Sequence, residues 1–303
     1  MVKHAFFLVG ILIFGVVILS SLGENITDRY SYMTSIENSS SFINVRLINK
    51  DLITVLLNDP LWVLFLAGTF FLDIDTETAV ILVSFLGFVL TWHVIVYRIG
   101  LKLDVFFVLV SYVFLANYIT HIRQGLALSI TLIFLYGRLN PSWILASGLF
   151  HNSFFVLAPL IWVRNKFKIT LSNIHLYVFG GVISLFVIVL LFESSRQEYF
   201  SDFHMKKDAI GFGWLFWLTV YASRILVFRN SLVDFVSVVL PLYLIFYFIE
   251  PTVAGRMMEV LVLFLILDIR RTSSLAISTS YSLLFFILSW VSNYSSNFYG
   301  FAV

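Results

Sequence analysis

Arg123 and His151 are ionisable residues set in apolar sequence. Arg123 opens Arg123-Gln124-Gly125 within a run from about Leu103 to Tyr136, and His151 lies in the next run, in Gly148-Leu149-Phe150-His151-Asn152-Ser153. An ionisable side chain in hydrocarbon costs ~2.5 kcal/mol or more unless it meets a partner, water or a ligand, so its presence there is a statement about function by default. Arginine suits a phosphate or diphosphate, because its guanidinium is a planar fork that stays protonated. Histidine, with an ordinary pKa of ~6.5, can take a proton from a hydroxyl near neutral pH. The two together suit transfer from a phosphate leaving group to an alcohol. The plainer alternative is that Arg123 snorkels to headgroups while His151 bonds a neighbouring carbonyl.

Arg256 stands at the start of a late apolar run, in Pro251-Thr252-Val253-Ala254-Gly255-Arg256-Met257-Met258-Glu259. It would be a second anion-binding arginine or, equally, one member of an interfacial cluster with Glu250 and Glu259. Among the carboxylates, Asp59 beside Pro60 is a candidate base. Asp28, with Tyr30 and Tyr32, would supply acceptors and flat apolar faces for a sugar, although a solvated loop would contain such residues anyway. Asp73 and Asp75 read as ordinary connection charges, and His121 as lying on another helix face or at the interface. No His/Asp spacing argues for a metal, and no cofactor motif is present.

The elements that carry these residues follow from composition. Of 303 residues 60% are hydrophobic and 12% charged, a balance foreign to water-soluble domains of this size. The sequence therefore predicts an all-α integral membrane protein. The absence of Cys excludes disulfides and Cys-ligated metals, and a formal charge of +2 without a basic block excludes nucleic acid as a partner. Windows of about 20 apolar residues fall near 4–22, 52–72, 78–97, 103–120, 122–137, 140–163, 174–192, 209–228, 231–250, 254–269 and 275–292. These predict a polytopic bundle of about 10–11 transmembrane helices, read as a single domain over residues 1–303. The first window would alternatively be a cleaved signal peptide. Residues 23–51 form a polar loop after the first helix, expected on the extracytoplasmic side, and residues 193–208 form a second polar loop.

Two uncertainties of topology bear on the site. Counting Lys and Arg over alternate connections yields no majority, so the positive-inside rule leaves orientation open. Asn58-Asp59-Pro60 divides window 52–72 and suggests an interfacial helix followed by a short or re-entrant segment. If that segment does not cross, Arg123 lies on the side opposite Lys3. On simple alternation Arg123 and Arg256 would face opposite sides. Residues 124–137 and 141–162 are expected to pair as antiparallel helices about the turn Gly137-Arg138-Leu139-Asn140-Pro141. Equal counting from that turn sets His151 opposite about Ala127, with Arg123 one turn beyond. Gly125, Ala127 and Ser129, facing Ala146, Ser147 and Gly148, would allow close approach.

The run Ile122-Arg123-Gln124-Gly125-Leu126-Ala127-Leu128-Ser129-Ile130, followed by Leu149-Phe150-His151-Asn152-Ser153, resembles the EpsG family of Wzy-like bacterial exopolysaccharide and O-antigen polymerases. Asp28-Arg29-Tyr30 looks like that family's Asp-Tyr loop, with Arg29 intruding into the pair. Asp59-Pro60-Leu61-Trp62 looks like its acidic-Pro-aromatic segment, with Asp where many relatives carry Glu, and Ala254-Gly255-Arg256 looks like its late arginine. The resemblance covers about residues 23 to 270. It implies a multi-pass protein of the bacterial inner membrane that catalyses at the periplasmic face. The implied reaction moves a glycan from undecaprenyl diphosphate onto another lipid-linked repeat unit, without a metal.

Donor and acceptor lipid-linked oligosaccharides and the bilayer are the partners so implied; a chain-length regulator would be a further one. In this reading His151, Arg123 and Asp59 are catalytic, while Arg123, Gln124, Arg256, Asp28 and Tyr30 bind substrate. Direct displacement at the anomeric carbon would invert its configuration. A membrane O-acyltransferase acting on surface glycan and a lipid-linked glycan flippase are the alternative functions.

Overall fold

The computed structural model describes residues 2–20, 32–34, 37–38, 52, 55, 59–137, 139–151, 153–155, 157, 158, 161, 212–226, 235–247 and 251–294. Among them every regular element is a helix and no strand occurs. The helices are α1 (Val2–Ser20), α2 (Pro60–Phe71), α3 (Thr76–Val94, continued by π-helical Ile95–Ile99), α4 (Leu103–Leu109), α5 (Tyr112–Ile119), α6 (Ile122–Tyr136), a 3-10 segment (Pro141–Leu149), α7 (Phe212–Leu226), α8 (Phe235–Phe246), α9 (Pro251–Thr272) and α10 (Leu275–Tyr294). They fall on ten of the eleven apolar windows; window 174–192 and loop 193–208 lie outside the described residues.

Length separates these helices sharply. Among the described residues only Thr76–Ile99, 24 residues, is by itself long and apolar enough to cross a membrane. Helices α5 and α6 would qualify jointly, but the chain bends by 103° between them. Helix α2, at 12 residues, is ~18 Å long, short of a ~30 Å hydrocarbon core. The chain divides into two compact units, residues 1–101 with 116–162 and residues 102–115 with 163–303.

In the first unit α1 runs antiparallel to α3. Phe14 stacks on Phe88, the Trp92 indole N–H donates to the Phe7 carbonyl at 3.1 Å, and the Tyr97 hydroxyl meets His4 Nδ1 at 2.7 Å. Helix α6 runs parallel to α3. Ile122 and Leu126 share a buried cluster with Ala79, Val80 and Val83, while further along Ser129 reaches Gly87 and Thr91. A chain of hydroxyls knits this contact. Tyr118 Oη donates to Thr91 Oγ1 at 2.7 Å, Thr91 donates to Ser129 Oγ at 3.0 Å, and Ser129 donates to the carbonyls of Gly87 and Gly125. Ser84 adds a bond to the Tyr118 carbonyl. Such bonds satisfy the buried hydroxyls and tie α3, α5 and α6 together.

Gly125 is required at the bend. A Cβ there would fall inside the Asn117 carbonyl oxygen, 2.8 Å from its carbon and 2.9 Å from the Tyr118 ring. The small residue noted in the sequence therefore serves packing of α6 against the preceding helix.

In the second unit α9 is the central helix, buried on all sides from Met258 to Ile269 and packed by α4, α8 and α10. Aromatic residues fill the remaining contacts: Phe107 against Phe286, Trp217 against Phe285, and Trp290, whose indole donates to the Val110 carbonyl at 3.0 Å.

Candidate functional site

The site begins at the strained start of α2. Asp59 precedes Pro60 and takes φ 53°, ψ 58°, the left-handed region that Asp tolerates better than most residues. An aspartate in this position ordinarily caps its own helix. Asp59 does not; its carboxylate meets Arg123 Nη1 at 2.7 Å. The aspartate side chain is 2% exposed and that of the arginine 21%, so the pair is buried on one side and reachable on the other. Strain of this kind costs ~1–3 kcal/mol and survives only when surrounding contacts impose it.

Aromatic rings surround the pair. The Arg123 guanidinium carbon stands 5.3 Å from the centroid of Tyr32, and Arg123 Nε lies 3.4 Å from the Tyr32 hydroxyl. Tyr32 meets Trp62 edge to face at 5.4 Å, and Trp62 stacks on Phe65 at 5.5 Å. Rings at positions 62 and 65 of α2 share a face because three residues make nearly one turn. The result is a charged fork backed by a buried aromatic cluster.

His151 arrives by a route that periodicity misjudges. The expected second α-helix begins instead as the 3-10 segment Pro141–Leu149, started by Asn140, whose side chain accepts from the Ser142 amide at 3.0 Å. Ser147 bonds the Ile144 carbonyl at 2.6 Å, the local competition that disfavours α-helix in a stretch with Ser and Gly. A 3-10 helix rises ~2.0 Å per residue against ~1.5 Å, so the chain travels farther for the same count. Equal counting from the turn therefore does not fix the level of His151 on α6. Phe150 packs against the cluster that contains Tyr32, Trp62, Ile122 and Leu126.

The imidazole is oriented by its own turn. Its Nδ1 accepts from the Ser153 amide at 3.3 Å and lies 2.8 Å from Ser153 Oγ. An amide can only donate, so in the neutral ring the proton resides on Nε2. The ring then offers a donor, not a lone pair, at that nitrogen.

The other predicted residues divide clearly. Gln124 is buried next to Arg123 on α6. Asp28 and Tyr30 lie outside the described residues. Arg256 is half-buried on α9, with Glu259 fully buried three residues on, in the second unit. His121 is buried immediately before α6. Asp73 and Asp75 are exposed, as expected of connection residues. Among the described residues no cluster of three or more His, Asp or Glu could hold a metal.

Sequence reading named Tyr32 and Trp62 but not their packing beside Arg123. The available signal was the aromatic two residues after Pro60, together with the tyrosines of the polar loop. Compared with known proteins, the chain matches no family model, no curated protein and no solved structure.

Proposed function

We propose that this protein is a polysaccharide polymerase of the bacterial inner membrane, a metal-independent inverting glycosyltransferase built as a polytopic bundle of about 10–11 transmembrane helices. Its donor and acceptor are glycans on undecaprenyl diphosphate. The observation that carries the reading is the Asp59–Arg123 pair, buried at a strained backbone position and flanked by Tyr32 and Trp62. An arginine fork suits a diphosphate and a carboxylate suits an acceptor hydroxyl, while the buried rings pack behind the pair.

In the proposed cycle the donor diphosphate competes for Arg123 and releases Asp59 from its ion pair. Asp59 takes the proton of the acceptor hydroxyl, whose oxygen bonds to the anomeric carbon while the bond from that carbon to the diphosphate oxygen breaks. Both electrons of the broken bond leave with the lipid diphosphate, and Arg123 stabilises that charge. His151 donates from Nε2 to an oxygen of the reacting groups. This assignment takes Asp59 as base in preference to His151, because the imidazole Nδ1 is held by Ser153.

Charge distribution supports an outward-facing site. In the first unit Lys3, His4, His93 and Arg98 occupy the end of the α1–α3 pair where His4 meets Tyr97. Asp73, Asp75 and Glu77 lie at the other end, the end where Ile122 packs on Ala79 and Val80. Basic ends favour the cytoplasm, so Arg123 and Asp59 would open to the periplasm.

The test is glycan length in a reaction of purified protein with lipid-linked repeat units, at matched protein levels. Arg123→Ala and Arg123→Lys are each expected to lower polymer formation by about 100-fold, since a point charge cannot replace the fork. Near-normal polymer from Arg123→Lys would remove the diphosphate role. An acyl-CoA requirement with unchanged polymer length would favour the acyltransferase, and repeat units trapped on the inner side would favour the flippase.

A further inference from the structure

Helices α8 and α9 are joined by only four residues, 247–250, and pack against each other. Equal steps from Phe246 and Pro251 bring Tyr243 level with Ala254, two residues before Arg256, about 4.5 Å into the hairpin at 1.5 Å per residue. Glu259 follows Arg256 by three residues and so lies on the same helix face.

Tyr243 is 4% exposed, and its hydroxyl has no hydrogen-bond partner among the described residues. Leu240, Leu242, Leu244 and Met258 around this part of the hairpin are all buried and apolar. Burying a hydroxyl unpaired costs free energy that phenylalanine, of nearly the same shape, would avoid. Arg256, half-buried, lies two positions further along α9. A costly donor next to a half-buried arginine is what an oxyanion site requires.

We propose that Tyr243 donates its hydroxyl to an oxyanion-bearing ligand, a phosphate or diphosphate group, whose charge is met by Arg256, with Glu259 orienting the guanidinium. This deepens the polymerase reading by adding a ligand-contacting tyrosine in the second unit. The hydroxyl is retained for binding at the expense of stability.

The experiment compares full-length wild type, Tyr243→Phe and Arg256→Lys in nanodiscs, by thermal unfolding and by binding. The probes are inorganic pyrophosphate and an isoprenyl diphosphate, with phosphatidylglycerol against phosphatidylcholine as the surrounding lipid. Tyr243→Phe is expected to unfold a few degrees higher without ligand and to bind at least tenfold more weakly whichever probe the wild type takes. Arg256→Lys is expected to share the loss of binding without the gain in stability. The responding probe separates a lipid headgroup from a lipid-linked or free diphosphate.

Unchanged binding by Tyr243→Phe, a lowered unfolding temperature for that variant, or wild-type protein that binds none of the probes would each overturn the proposal. Polymer synthesis by the wild type is scored separately. Its absence counts against the polymerase, while the binding data judge Tyr243.

Discussion

Each compact unit contains an aspartate–arginine pair, and the two are built differently. In the second unit Asp104, fully buried in the first turn of α4, accepts from the Val105 amide at 2.9 Å, from Ser278 Oγ at 2.8 Å and from Arg270 Nη1 at 3.4 Å. Helices α4, α9 and α10 meet on one carboxylate with no strain in the backbone. In the first unit Asp59 forgoes its own helix cap, adopts a left-handed backbone and meets Arg123 beside aromatic rings. A carboxylate satisfied by its own helix and its packing neighbours reads as a brace. One held at a strained position against a partly reachable arginine reads as a working site.

Aspartate substitutions should pull this contrast apart. Asp104→Ala leaves Arg270 without its buried partner and is expected to cost about 3–5 kcal/mol, seen as a large fall in unfolding temperature. Asp59→Asn keeps a residue that tolerates the left-handed backbone, so unfolding temperature should move by no more than a few degrees while polymer synthesis is lost. Equal destabilisation by the two would erase the distinction between brace and site.

Glycine substitutions sharpen the comparison within the first unit. A Cβ at Gly125 drives into the Asn117 carbonyl, so Gly125→Ala should destabilise by about 1–3 kcal/mol and disturb Arg123 two residues away. A Cβ at Gly87 would find its nearest neighbours at 3.5 Å, an ordinary contact. Gly87→Ala should therefore be tolerated, its gain in helix propensity of up to ~1 kcal/mol visible in denaturation. Similar losses at both positions would mean that general crowding, not the bend at Asn117, governs α6.

The smallest effect belongs to Asp75, an exposed cap with no role in either pair. Its carboxylate accepts from the Thr78 amide at 2.9 Å and the Thr78 hydroxyl at 3.0 Å, which hold it below the ordinary carboxylate range. A lowered folded pKa stabilises the helix start above the unfolded pKa of ~3.9, and that contribution is lost as pH falls through the lowered value. Amide exchange at the start of α3 should accelerate below about pH 4, and Asp75→Asn should flatten that dependence. A slope unchanged in the variant would assign it to another carboxylate.

Helical class and most helix positions were legible in the sequence, because runs of apolar residues are a local property. Arg123 and Gly125 were legible as well, since a charge and a glycine stand out in such a run. Their tasks were not: Gly125 answers a carbonyl on the preceding helix, and Arg123 answers an aspartate 64 residues away. The level of His151 was not legible, because equal counting assumes one rise per residue and the 3-10 segment has another.

The sequence alone determined an all-helical, strongly apolar chain without cysteine, with ionisable residues at 123, 151 and 256 inside its apolar runs. Tertiary structure decided that α3 and α6 run parallel and that Asp59 turns left-handed to meet Arg123. It also decided that Arg123 stands at the opposite end of α3 from Lys3. Hydropathy and spacing describe each segment against its solvent; bends, register and ion pairing are settled only when one segment becomes the environment of another.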